Sequence, residues 1–396
     1  MTKEKTFDLI AIGRSSVDLY GQQVGGRLED MASFSKAVGG SPTNIAIGTA
    51  RLGLRSGLIT RVGDEHMGRF IREQLQREGV DVAGVHTDKS RLTALVLLGI
   101  RDDKSFPLIF YRSDCADAAL DESDIDEDYI ASARSIVVTG THFAKAHNAA
   151  AQKKAMKFAK KHGAKIAFDI DYRPNLWGLA GHGDGEERYI KSGDVTAHLM
   201  PILGECDLIV GTEEEIMIAG GEDEPLAALR KIREKTEALI VMKRGPMGCV
   251  VFPDAIPDDV EKGLKGPGYP VEVYNVLGAG DAFMSGFLRG WLRDEPIETC
   301  CSYANAGGAF AVSRLLCSAE YATFPEMQHF IAHGAASRAL RLDPALTHLH
   351  WSTTRDAVTS YPKADHIFAL AIDHRAQLEK IADDVGAPFE RIKTFK

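Results

Sequence analysis

The sequence predicts an α/β protein with a mostly parallel sheet covered on both faces by helices. Short apolar runs recur along the chain, and each is followed by a longer stretch of helical periodicity. Strands that alternate with helices in this way build βαβ units. Composition agrees: 396 residues, 44% hydrophobic and 26% charged, suit a globular enzyme whose core needs no disulfide or structural metal. At roughly 150 residues per domain, length alone suggests two to three domains.

The elements follow in order. Residues 7–13 form a strand ending in Gly13, and a helix over 45–52 follows a Gly/Ser/Pro turn. A strand at 58–63 leads to a helix over 67–78 that stops at Gly79. Further strands are expected at 135–140, 166–169, 208–211 and 239–243, separated by charged, Ala-rich helical stretches. Two segments, about 18–38 and 92–112, break the rhythm with alternating apolar residues and turn signals. The second reads as a hairpin, and together they are expected to form a small β lid over the scaffold. From about Asp343 a third zone begins. Pro344 and the polar run 348–354 interrupt the helical pattern, then a strand (367–373) and a helix (376–385) are expected.

Several functions are disfavoured at this level. Lys+Arg 47 against Asp+Glu 56 gives a formal net charge of −9, which offers nothing to offset phosphate repulsion from nucleic acid. No apolar run approaches the ~18 residues that span a bilayer, and the N-terminus runs straight into a strand without a leader pattern. A cytoplasmic protein without membrane or nucleic-acid partners is expected. Cys115, Cys206, Cys249, Cys300, Cys301 and Cys317 show no CxxC spacing and read as reduced thiols, with no ligand pattern for a structural metal.

Four segments carry chemistry. Gly278-Ala279-Gly280-Asp281 opens an amphipathic helix, so bare N–H groups at its N-terminus can hold an anion beside a carboxylate. A base next to a cradle for migrating charge is what phosphoryl transfer to an alcohol requires. A plain turn with a first-turn acid is the alternative. Gly39-Gly40-Ser41-Pro42-Thr43-Asn44 allows close backbone approach to a ligand, or is simply a capped helix entrance. Asp18, just past a strand end, is a candidate acceptor for sugar hydroxyls or a turn residue. Thr212-Glu213-Glu214-Glu215 can position hydrated Mg²⁺, or is an acid-rich helix start. Neither a Walker A sequence nor a full GxGxxG occurs.

In this order, these segments resemble the ribokinase or PfkB carbohydrate-kinase family over roughly residues 6–335. The resemblance implies a ribokinase-like three-layer sandwich with a kinase domain at 1–342, and ATP with Mg²⁺ as cosubstrate and cofactor. It implies Asp281 as catalytic base, Gly278, Ala279 and Gly280 as the anion hole, and Asp18, Gly40 and Asn44 on the sugar. It also implies Glu215 on Mg²⁺ through water. Lys243, Gly245 and Gly248 match a strand-turn along the nucleotide phosphates, and Asn305 a position near the adenine. Three positions depart from the family pattern. Thr212 stands for a usual Asn, Asn275 for a common Asp that helps hold a monovalent cation, and Leu316-Cys317 for a Gly-containing turn near that cation. Dependence on such a cation is therefore not expected. A homodimer through the lid is what the family implies.

Arg112 and Arg173 point to a sugar acid, because a guanidinium fork matches a carboxylate. Ion pairing to Asp169, Asp171 or Asp114 is the structural alternative. Both segments resemble those of 2-dehydro-3-deoxygluconate kinases. Gly211 with 212–215, the 275–277 lead-in and Asp171-Tyr172-Arg173-Pro174 are more similar to kinases acting on the terminal hydroxyl of 5-dehydro-2-deoxygluconate in inositol breakdown. Residues 368–375 resemble the opening strand of an aldolase-like barrel fused behind such kinases, so 343–396 is expected to be a linker and a first βα unit. The alternatives are a 2-dehydro-3-deoxygluconate kinase, a fructokinase, or a non-catalytic sugar-acid sensor.

Overall fold

The computed structural model describes residues 5–102, 105–181, 187, 189–354, 375–388 and 390–395. It divides into two compact units, Met1–Ala357 and Val358–Lys396. The first unit begins with β1 (Leu9–Ile12), β2 (Ser16–Gly21), β3 (Phe34–Gly39), α1 (Ser41–Arg51), β4 (Ser56–Gly63) and α2 (His66–Arg77). Next come β5 (Val85–Asp88), β6 (Ala94–Leu98), β7 (Leu108–Tyr111), α3 (Glu127–Ala131), β8 (Ser135–Thr139) and α4 (Ala146–Lys161). They are followed by β9 (Lys165–Asp169), α5 (Gly193–Leu203), β10 (Leu208–Thr212), α6 (Glu213–Gly220), α7 (Pro225–Arg233) and β11 (Leu239–Lys243). Last are β12 (Cys249–Phe252), β13 (Leu264–Gly266), α8 (Ala279–Trp291), α9 (Ile297–Val312), α10 (Phe324–His333) and α11 (Pro344–Thr353). In the second unit, α12 spans Arg375–Asp384 and α13 Glu390–Phe395.

The main sheet runs β13-β12-β11-β10-β9-β8-β1-β4-β5. It is parallel from β11 to β5, and β12 and β13 add an antiparallel edge. β1 and β8 are buried at every position, which is why they read as unbroken apolar runs. The two-residue period splits β1 between two cores. Leu9 and Ala11 pack with Ile45 of α1, Leu75 of α2 and Phe287 of α8, whereas Ile10 and Ile12 pack with Ala155 of α4, Leu199 of α5 and Leu229 of α7. These are the three layers expected from the sequence. The two rhythm-breaking segments supply a separate four-stranded sheet, β3-β2-β6-β7, in which β6 and β7 form the expected hairpin.

Three details differ from the sequence reading. The helix expected at 45–52 begins at Ser41, because Pro42 fits the first turn, where its missing N–H costs nothing. Residues 344–353, read as a break and linker, are helix α11: the Asp343 carboxylate accepts from the amides of Ala345 and Leu346 at 2.9 and 3.0 Å, and Pro344 occupies the first turn. Leu346 packs with Phe310 and Phe330, so the compact unit extends past residue 342. The expected strand 367–373 lies outside the described residues, and the helix expected at 376–385 is α12. Among the described residues, no helix is long and apolar enough to cross a membrane.

One buried polar cluster holds α11 in place. Glu326 of α10 is fully buried, pairs with Arg314, and accepts from His350 Nδ1 of α11 at 2.9 Å. Burial would raise its carboxyl, but His350 and Arg314 outweigh that and hold it below the usual range. Glu326→Ala strands Arg314 in the core and is expected to cost about 3–5 kcal/mol, read as a lowered urea midpoint. A midpoint within error of the parent would show that α11 is held by its apolar face alone.

Candidate active site

Two helix N-termini meet at one point. α1 starts after Gly40 and α8 after Gly278, so both positive dipole ends face the same space. Gly40 has φ 97°, and a Cβ there would lie 2.5 Å from the Arg14 carbonyl oxygen. Gly278 has φ 76°, and its Cβ would lie 2.5 Å from Cys317 Sγ. Both positions therefore demand glycine. Beyond Gly278, the amides of Gly280 and Asp281 occupy the first turn of α8, where no carbonyl of the helix precedes them, and the Ala279 amide donates to the Val276 carbonyl at 3.4 Å. Asn44 Nδ2 of α1 donates to Asp281 Oδ2 at 2.8 Å, closing the contact. Burial raises the Asp281 carboxyl, as does the charge of Asp171, and the Asn44 hydrogen bond opposes them.

Around Asp281 lies an alternation of buried charges. Asp169 ends β9, and Lys243 ends β11, with Nζ 3.3 Å from Asp169 Oδ1 and 3.6 Å from Glu215 Oε2. A Cβ on Gly280 would be 3.3 Å from the same Nζ, so the ammonium faces the α8 turn. Burial pushes Asp169 up to about 7, against the pull of Lys243. Burial would lower Lys243, yet Asp169, Glu215 and Asp281 hold it above its usual range. Asp171 sits at φ 35°, a strained value for a non-glycine, and accepts from Arg14 Nη2 at 2.6 Å, with Arg173 Nη2 3.6 Å away.

Glu215 closes a capping box at the start of α6. Its Oε2 accepts the Thr212 amide at 2.8 Å and its Oε1 the Tyr172 amide at 3.2 Å. Burial would raise it, but Lys243, Arg173 and these amides hold it ionised. An oxygen that also accepts from backbone can still receive a metal-bound water. Among the described residues no three carboxylate, imidazole or thiol groups converge as a cage. The Glu215 carboxylate, held by two backbone amides, fits Mg²⁺ reached through water.

The lid sheet carries Asp18 and leads into Arg112. Asp18 on β2 is buried, accepts from Ser16 Oγ at 2.8 Å, and is pushed up to about 6 by burial despite Arg112 and Arg14. Arg112 follows β7 and pairs with Asp117, not Asp114, which is engaged by Arg91 at 2.9 Å. Arg173 donates to the Tyr172 carbonyl at 2.9 Å besides facing Asp171. Each arginine thus has an internal partner that fixes its direction. In the main sheet, Gly245 and Gly248 lie in the β11–β12 turn, next to the edge strand β13. Asn305 Nδ2 donates to the carbonyls of Gly266 and Pro267 at 2.9 and 3.1 Å, so it ties α9 to this edge.

Sequence reasoning gave no site role to Arg14, Asp117, Asp169, Asp171 or His142. Asp169 and Asp171, at the end of a buried strand, were legible only as ion-pair partners. Asp117 has no local signal, since its role comes from accepting the Ser15 amide at 3.0 Å and holding Arg112. His142 is buried and lowered to about 3 by burial, so it stays neutral. Among the described residues, Ser15 Oγ, Asn44 Oδ1 and His142 Nε2 are buried without a hydrogen-bond partner. Such unused hydrogen-bonding capacity suits a ligand rich in hydroxyls.

Comparison with known proteins shows the family and the fold. The model of the pfkB family carbohydrate kinases matches residues 6–323. Residues 326–396 match a family of uncharacterised proteins conserved in bacteria. A 5-dehydro-2-deoxygluconokinase of Geobacillus kaustophilus is 34% identical over 345 residues, which cover 85% of this chain and 98% of the relative. A protein of E. coli described as a Ribokinase II, solved with ATP and Mg²⁺, superposes with TM-score 0.72 at 22% identity, over 82% of this chain and 99% of that one. A fructokinase of Vibrio cholerae, solved with fructose, ADP and calcium, gives TM-score 0.67 at 25% identity, over 82% and 99%.

The raised carboxyl of Asp18 has a measurable consequence. An unfolded Asp releases its proton near pH 4, whereas the folded chain keeps it to about 6. Stability therefore falls as pH rises between these values, and the full cost is present above about 6. Asp18→Asn should match the parent near pH 4 and exceed it at pH 8 by about 1–3 kcal/mol in urea unfolding. A variant less stable than the parent at pH 8 would contradict this.

Proposed function

This chain belongs to the pfkB family of carbohydrate kinases, and we propose that it transfers the γ-phosphate of ATP to the terminal hydroxyl of 5-dehydro-2-deoxy-D-gluconate. The observation that carries the reading is the junction of α1 and α8, where Asn44 orients Asp281 beside the open amides of the α8 turn. The substrate choice rests on Arg112 and Arg173 at the lid and strand ends, and on the relative at 34% identity. A step in inositol catabolism follows from that substrate. Ribokinase-like relatives solved with ATP and Mg²⁺ or with ADP support the nucleotide.

In this mechanism Asp281 takes the hydroxyl proton as the sugar oxygen bonds to the γ-phosphorus and the bond to the leaving ADP oxygen breaks. A carboxyl raised by burial is a stronger proton acceptor, which suits a base working near neutral pH. The α8 amides and Lys243 face the charge that develops on the phosphoryl oxygens. Mg²⁺, when bound, would neutralise phosphate charge, with Glu215 the residue that reaches it through water. Asp18, Gly40 and Asn44 are assigned to the sugar, and Arg112 and Arg173 to its carboxylate. Gly245, Gly248 and Asn305 are assigned to the nucleotide edge.

For residues 358–396 we retain the aldolase-like reading, supported by helix α12 at the expected residues. A homodimer through the lid sheet is likewise part of the proposal. A non-catalytic sensor is the second reading, and turnover of ATP with a sugar acid would exclude it.

Asp281→Asn should melt like the parent yet lose phosphoryl transfer by about 10²- to 10⁴-fold. Turnover near the parent value would reject Asp281 as the base. ADP release should be fastest with 5-dehydro-2-deoxygluconate in a panel with 2-dehydro-3-deoxygluconate, fructose and ribose. Arg112→Gln should raise KM for the acid by about tenfold or more and leave a neutral sugar unaffected. Preference for a neutral sugar would overturn the role given to both arginines.

A further inference from the structure

The turn that carries the α8 amides is tied to the 312–321 segment, and what ties it is a set of neutral donors. Asn275 Nδ2 donates to the Leu315 carbonyl at 2.7 Å, and Asn275 Oδ1 accepts the Leu277 amide at 3.0 Å. Cys317 Sγ donates to the Leu277 carbonyl at 3.2 Å and accepts from Tyr20 Oη of β2 at 2.7 Å. Tyr321 Oη donates to the Gly278 carbonyl at 2.5 Å. Asn275, Cys317 and Tyr321 are all buried, at 0%, 2% and 3% exposure. The tyrosine hydroxyl and the thiol are both raised well above their usual values by burial, so both keep the proton they donate.

A monovalent cation joining two such segments would need carbonyl lone pairs and, for charge balance, a carboxylate. Here the carbonyls of Leu277, Gly278 and Leu315 already accept N–H, S–H or O–H donors. The one carboxylate of residues 315–321, Glu320, is directed to the Leu316 amide at 2.6 Å. At the remaining position, where an acid would serve, Asn275 presents an amide. The residues present are therefore arranged as donors to these carbonyls, and a cation would have to compete with all three of them without an added carboxylate at position 275.

We propose that Asn275, Cys317 and Tyr321 are positioning residues that brace the anion-binding turn by hydrogen bonds in place of a monovalent cation, and that phosphoryl transfer by this chain is indifferent to potassium. Through Tyr20, the brace also reaches β2, the lid strand that carries Asp18. The part concerning turnover rests on the kinase reading. The part concerning the brace does not.

The test compares potassium chloride with N-methylglucamine chloride at equal ionic strength, reading turnover and thermal unfolding together. The parent should turn over within about twofold in the two salts and melt at the same temperature, because neutral donors already satisfy the carbonyls. Asn275→Asp removes the donor to Leu315 and adds an anion. It should lose about tenfold or more of kcat without potassium, and potassium should restore much of that loss and raise the melting temperature. Cys317→Ala should lower kcat with little change in KM, and Cys317→Ser, which keeps a donor, should recover it. This pair decides the matter should Asn275→Asp fail to fold. Several-fold activation of the parent by potassium, or a potassium-specific rise in its melting temperature, would overturn the proposal. So would Cys317→Ala with parental kcat. A parent inactive in both salts would refute the kinase reading, and the melting comparison would still decide whether a cation binds.

Discussion

Asn44 and Asp281 are 237 residues apart in the chain and joined by a 2.8 Å hydrogen bond. That contact requires the start of α1 and the start of α8 to point at one place, which in turn requires the main sheet to hold both helices on one face. Everything else in the site is arranged around this junction. It supplies a carboxylate in a fixed direction and a run of amides without helical partners beside it. Gly40 lets the start of α1 lie against the Arg14 carbonyl, Gly278 lets the α8 turn close on Cys317, and Gly48 lets α1 pack against Ser285 of α8.

Such a junction is electrostatically demanding. Asp169, Asp171, Glu215 and Asp281 gather with little water around them, and burial alone would leave several of them protonated. Arg14, Arg173 and Lys243 interleave with the acids and decide which carboxyls stay ionised. Glu215, fed by two backbone amides and two cations, is held charged, while Asp169 and Asp281 are raised. Different carboxyls thus acquire different proton affinities from their surroundings, which is how one site can contain both a proton acceptor and a permanent anion. Strain at Asp171 and the buried polar atoms of Ser15, Asn44 and His142 that lack a partner among the described residues are costs of the same arrangement, offset by the two large cores on either side of the sheet.

The lid adds a second constraint. β2 carries Asp18 beside Arg14 and Arg112 and Tyr20 onto Cys317, so one strand touches both the Asp18 cluster and the segment that braces the α8 turn. Arg112 is directed by Asp117, itself anchored by the Ser15 amide. Pre-set directions of this kind spare a ligand the ordering of long side chains on binding.

The layered α/β fold was legible from the sequence, because strands buried on both faces must be apolar throughout and their helices must be amphipathic. The glycine turns, Asp281, and the lid segments were legible for the same local reasons: φ sign, helix start and period-two alternation are written in neighbouring residues. What only the tertiary structure decided depends on distant partners. Whether Arg112 meets Asp114 or Asp117, and whether Pro344 breaks a helix or opens one, turned on contacts that local pattern does not encode. Glu215 shows the limit well. The sequence marked residues 212–215 as a metal-positioning cluster or an acid-rich helix start; the structure shows the helix start as a capping box, and the charge state of Glu215 depends on Lys243 and Arg173, brought in by β11 and the segment after β9. Local chemistry specifies which groups are available, and the packing of remote elements specifies what each of them faces.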